Sequence, residues 1–119
     1  MRFRTLILII LASGLITGGA LADTMQEIEH LLDYVDSSKC QFDRNGTVHG
    51  GPEARDHINR KYEYYRDEVT STEDFIKYSA TSSKLSGRRY KVRCPGSAVM
   101  NTSDWLLDEL TRFRKDGAG

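Results

Sequence analysis

Cys40-Gln41-Phe42-Asp43-Arg44-Asn45-Gly46-Thr47-Val48-His49 reads as a β-hairpin. Asn-Gly tolerates positive φ at both central positions of a tight turn, the geometry that matches the twist of the flanking strands. Cys40 to Asp43 supplies the outgoing strand and Thr47 to His49 the return. Side chains alternate across a strand, so Arg44 and His49 fall on the side of Phe42. Cys40 shares that side, which becomes the core face.

On either side of the hairpin the apolar period lengthens to that of a helix. Upstream, over residues 24–38, Ile28, Leu31, Leu32 and Val35 recur at i, i+3, i+4 and i+7 and mark one helical face. Downstream, Gly50-Gly51 breaks the strand and Pro52 suits the first turn of a second helix. Its stripe is Ala54, Ile58, Tyr62, Tyr65 and Val69, which carries it to about Glu68. Thr70-Ser71-Thr72 before Glu73-Asp74 caps a short third helix with Phe75, Ile76 and Tyr78. Ser79 to Gly87 is polar and small, and reads as a loop. Arg88 to Cys94 alternates again: Tyr90, Val92 and Cys94 face one way, Arg89, Lys91 and Arg93 the other. After Pro95-Gly96, Asn101-Thr102-Ser103 caps a last helix with Leu106, Leu107, Leu110 and Phe113 inward. These elements predict an α+β domain over residues 23–119, with a small three-stranded antiparallel sheet packed on one face by about four helices.

Residues 1–22 stand apart in composition. Arg2 and Arg4 precede the apolar run Leu6 to Ile16, and Ala20-Leu21-Ala22 forms a small-x-small cleavage site. That order of parts predicts a secretory signal peptide and a periplasmic mature protein with no stable membrane insertion after cleavage. The remainder carries 15 basic and 17 acidic side chains, a formal charge of −2, and only 17 of its residues are Val, Ile, Leu or Phe. A slightly acidic domain is a poor nucleic-acid binder, and a core this thin needs a staple. Cys40 and Cys94 are the two cysteines of the chain. In an oxidising compartment they favour a structural disulfide over a redox pair, because no C-x-x-C spacing is present.

Chemistry is sparse. On the second helix, Lys61 lies about 60° and His57 about 100° from the centre of the apolar stripe, one turn apart. Together with Arg44 and His49 they can converge as a cationic pocket at one end of the sheet. The basic run around Lys84, Arg88, Arg89, Lys91 and Arg93 is suited to an anionic partner. His30, His49 and His57 have no metal-ligand spacing, no catalytic-serine motif is present, and no cofactor is implied. Two classes stay open: a binding module for a periplasmic protein or anionic envelope component, and a small hydrolase with His57 as base and Ser83 or Ser86 as nucleophile.

Arg44-Asn45-Gly46, Ala54-x-x-His57-Ile58-x-x-Lys61, Phe75-Ile76, Ser82-Ser83-x-x-Ser86-Gly87-x-x-Tyr90-x-Val92 and Trp105-Leu106 resemble the YfeK-like proteins. That is a family of small exported bacterial proteins of unknown function. The resemblance implies a Gram-negative periplasmic setting and no activity. For the binding module, the candidate surface is the 82–90 loop, with Ser83, Ser86, Arg88 and Tyr90, together with Arg44, His57 and Lys61. Separately, Ser86-Gly87-x-x-Tyr90 is similar to the inhibitory loop of periplasmic lysozyme inhibitors, which implies insertion of that loop into an enzyme cleft.

Overall fold

The computed structural model describes residues 23–118; the signal-peptide reading falls on residues 1–22, outside them. Helix α1 occupies residues 23–37, and Ile28, Leu31, Leu32 and Val35 are all buried, as their spacing requires. Strands β1 (Gln41–Arg44) and β2 (Thr47–His49) form the hairpin. Asn45 and Gly46 take φ of 57° and 86°, and the Gly46 amide donates to Asp43 Oδ1. Helix α2 spans Gly51–Tyr64, α3 Thr72–Ser79 and α4 Thr102–Ala118.

Two further strands complete the sheet: β3 (Lys91–Arg93) and β4 (Met100–Asn101). The order is β2-β1-β3-β4, antiparallel throughout, with Phe42 opposite both His49 and Val92. Four strands replace the three expected. Met100 and Asn101 pair with Val92 and Lys91, so Asn101 ends a strand where a simple helix cap was expected. The pairing arises because the Thr102 amide donates to Tyr90 O, drawing the start of α4 against β3. β3 is shorter than the expected Arg88–Cys94, its upstream part reduced to a single bridge between Ser82 and Arg89.

One sheet face is packed and the other faces solvent. Phe42 and Val92 enter the core, where Phe75, Ile76, Leu106 and Leu110 meet them from α3 and α4. Gln41, Lys91 and Arg93 are exposed. Trp105 is also buried, stacked on Tyr34 at 4.5 Å between centroids and edge-on to Phe42 at 5.5 Å. Leu107, expected inside, is 39% exposed instead. Trp105, Leu106 and Leu110 set the buried arc of α4, and Leu107, about 100° past Leu106, falls at its edge. Helix α2 stops at Tyr64, short of Glu68, and the chain continues as a 3-10 turn over Arg66–Glu68.

Three links hold the layers. Cys40 and Cys94 form a disulfide with Cα atoms 4.1 Å apart, joining the start of β1 to the end of β3. Ser71 Oγ accepts from the Asp74 amide at the N-terminus of α3, while Asp74 Oδ2 accepts from the Thr70 amide and hydroxyl. Arg114 of α4 donates to Glu27 of α1 and Glu73 of α3 with both arms of its guanidinium. Its hydrogen bonds hold the Glu27 carboxyl below the usual range against the opposing effect of burial. No helix among the described residues is long and apolar enough to cross a membrane.

Candidate functional site

The hairpin, α2 and the segment before β3 meet at one end of the sheet around a cleft of about 400 Å³. Arg44 ends β1, with its side chain on the core side as the alternation predicts. His57 and Lys61 come from successive turns of α2, and Tyr90 sits just before β3. Ser83, Lys84 and Leu85 close the cleft from the loop side. No Asp or Glu lines it.

That loop is closed by its own backbone. The Ser83 amide donates to Arg88 O at 2.9 Å and the Gly87 amide to Ser83 O at 2.8 Å, with Gly87 in the left-handed region at φ 73°. Just outside this turn the Tyr90 amide donates to Thr81 O. Asn45, at the tip of the hairpin, reaches across. Its Nδ2 donates to Ser83 Oγ at 2.9 Å, and its Oδ1 accepts from the Ser86 hydroxyl. One turn residue therefore fixes two serines 38 and 41 positions away.

Inside the cleft, donors outnumber acceptors. Arg44 Nη1 lies 2.7 Å from His57 Nδ1, its nearer partner, and 3.3 Å from Nε2. A guanidinium only donates, so Nδ1 accepts and the imidazole carries its proton on Nε2. Nε2 in turn faces the Tyr90 hydroxyl at 3.3 Å. Lys61 Nζ donates to Ser82 O at 2.9 Å and to Tyr90 Oη at 3.2 Å. With Tyr90 Oη accepting from both His57 and Lys61, its own proton is left to donate into the cleft. Lys61 keeps a third N–H and Arg44 keeps several. Neither cation makes an ion pair with a carboxylate among the described residues.

The electrostatics follow from this crowding of positive charge. Burial, then the charges of Arg44 and Lys61, push the His57 pKa down to about 4, so the ring is neutral at pH 7. Burial, then Arg44 and Lys84, lowers the Lys61 ammonium below its ordinary value. Burial raises the Tyr90 phenol, which stays protonated and able to donate. An anion entering the cleft would reverse the strain on His57 and Lys61 alike.

The family of unknown function DUF5329 matches residues 22–114. The chain belongs to this family. No curated protein and no solved structure matches it. The matched span contains every residue of the cleft and both cysteines, and the family description assigns no activity to any of them.

Of the residues singled out from sequence, Arg44, His57, Lys61, Ser83 and Tyr90 line the cleft together. Ser86 and Arg88 stand at its rim, in the turn that Asn45 braces. His49 is not in the cleft lining but meets Arg44, His57 and Tyr90 in an adjoining pocket, and its Nδ1 contacts Glu53 Oε2 in the first turn of α2 at 2.8 Å. Lys91 and Arg93 lie on the open sheet face, and Arg89 is exposed just before β3. Sequence reasoning passed over Asn45 as a mere turn former. It also missed Lys84 and Leu85 as cleft residues, although their place in a loop facing α2 gave no periodic signal. His57 hydrogen-bonds neither Ser83 nor Ser86, and no carboxylate among the described residues orients its ring. Tyr90 is only 7% exposed, so the Ser86-Gly87-x-x-Tyr90 segment does not project its tyrosine outward. Among the described residues no cluster of His, Cys, Asp or Glu is arranged to hold a metal ion.

A smaller pocket of about 30 Å³ lies behind the cleft, sharing Arg44, His57 and Tyr90 with it. His49 and Thr102 also line this pocket, and His49 Nε2 and Thr102 Oγ1 are buried without a protein partner. The space matches one or two waters, the usual partners of such atoms.

Proposed function

We propose that the protein is a non-catalytic binding module that receives an anionic group in the cleft between the hairpin, α2 and the 83–88 turn. One observation carries this reading. Arg44 and Lys61, both half-buried, point their unused N–H groups into a cleft that no carboxylate lines or neutralises. Half-buried cations without counter-charges carry a desolvation cost, which an incoming carboxylate or phosphate offsets with charge-assisted hydrogen bonds. Catalysis has less support: His57 accepts from a guanidinium, the reverse of the hydrogen bonding that activates a general base.

The setting we assign is the periplasm of a Gram-negative bacterium, in line with the YfeK-like resemblance. The leader of residues 1–22, with its Arg pair, apolar run and Ala-Leu-Ala end, supports export, as does the Cys40–Cys94 disulfide. The partner is then an anionic envelope component or an acidic periplasmic protein.

Calorimetric titration of the disulfide-bonded protein with inorganic phosphate and with acetate tests the cleft. Binding should weaken with added salt and fall by about tenfold or more in Lys61→Met, which keeps the stem and removes the charge. Equal affinity of Lys61→Met and wild type, or no binding of either anion, would overturn the assignment.

A further inference from the structure

The rim of the cleft carries a second feature that anion binding alone does not use. Leu85 is 97% exposed, the most exposed large apolar side chain among the described residues. It stands at the apex of the Ser83–Arg88 turn, which the paired backbone bonds and the Asn45 bridge hold in one shape. Leu85 is therefore presented by a braced turn and lines the mouth of the cleft. Beside it, the Lys84 ammonium lies 5.5 Å from the Tyr64 ring, and Tyr64 is itself 74% exposed. Neither Lys84 nor Arg88 makes an ion pair with a carboxylate among the described residues.

Resting on the reading of the cleft as an anion site, we infer that its ligand is the phosphate of a lipid headgroup, bound with the Leu85 tip dipped into an anionic bilayer surface. A projecting leucine, an exposed tyrosine and unpaired cations are the chemistry of the membrane interface. The apolar tip enters the acyl boundary, the phenol sits at headgroup level and the cations meet anionic lipid. Arg44, Lys61 and Tyr90 lie behind that tip as donors for one phosphate. A single convex tip favours lipid over an acidic protein, because acyl chains reshape around it whereas a folded partner needs a matching pocket.

Flotation of the disulfide-bonded protein with phosphatidylcholine vesicles, with and without phosphatidylglycerol, tests the inference alongside titration with inorganic phosphate. Wild type should float only with the anionic vesicles and detach at high salt. Leu85→Ser, which adds no charge to the cleft, should bind those vesicles roughly tenfold more weakly or worse, and Tyr64→Ser, outside the cleft lining, should also bind them more weakly while binding inorganic phosphate like wild type. Leu85 and Tyr64 both lie outside the buried core, so neither variant removes a core contact, which circular dichroism checks. Phosphate binding without vesicle binding would overturn the lipid assignment and leave the cleft reading standing, as would equal flotation of Leu85→Ser and wild type. Capture of polyglutamate that depends on Leu85, with no vesicle binding, would give the surface to an acidic polypeptide instead. Loss of phosphate binding and vesicle binding together would remove both readings.

Discussion

At the scale of single residues, the cleft is organised by who can donate to whom. His57 is the pivot, because Arg44 occupies the nitrogen that a proton would need. Its pKa of about 4 lies below the unfolded value near 6.5, so between those limits the unfolded chain binds a proton that the folded chain refuses. That contribution to stability is complete above pH 7, falls as pH drops from about 6.5 towards 4, and changes no further below. Denaturant midpoints measured across this range should decline in wild type and decline less in His57→Gln, which accepts a hydrogen bond but takes up no proton. A parallel decline in both proteins would show that other groups carry the pH dependence. Period-two and 100° arithmetic sufficed to bring Arg44, His57 and Lys61 to one place, since each sits in a regular element. It could not give His49 its partner, because Glu53 is reached across a strand-to-helix corner that has no period.

At the scale of elements, the informative contact is where α1 ends and α2 begins. Gly51 is buried there, and a Cβ on it would stand 2.5 Å from Val35 O and 2.7 Å from Asp36 O. Both are backbone oxygens near the end of α1, which cannot move aside as a flexible side chain would. Gly51→Ala should therefore destabilise by about 2 kcal/mol or more, despite alanine being the better helix former. Gly50→Ala next door, where a Cβ meets nothing within 4 Å, should be nearly neutral by the same denaturant titration. Comparable losses in both variants would mean that the cost is conformational and not steric. The sequence distinguishes these glycines only as a breaker pair, because the close approach is tertiary. The same limit hid β4: two residues are too few for alternation, and their pairing exists only because Thr102 bonds to Tyr90 O. By contrast α1, the hairpin and α3 were legible nearly to the residue, each having a strong period or a turn and cap signal of its own.

At the scale of the whole molecule, charge and covalent bonding divide the labour. On the helical side three arginines are neutralised: Arg114 by Glu27 and Glu73, Arg55 by Glu29 and Asp33, Arg112 by Glu109. At the hairpin end Arg44, Lys61, Lys84 and Arg88 make no ion pair with a carboxylate among the described residues, so a chain with little net charge presents a cationic cluster there. Keeping like charges together costs stability, and the core has few aliphatic residues with which to offset it. The Cys40–Cys94 disulfide supplies the difference by closing a loop with 54 positions between its ends. In the chain-entropy model a loop of that length restricts the unfolded state by about 4 kcal/mol, a large share of the stability of any small domain. Paired Cys40→Ala and Cys94→Ala substitution should therefore lower the denaturant midpoint sharply and bring the thermal transition down by on the order of 20 °C. Raising the concentration of phosphate should recover part of the loss if the folded cleft takes up that anion. A double variant as stable as wild type would show that the packed layers suffice alone, and that the unpaired cations cost far less than their number suggests.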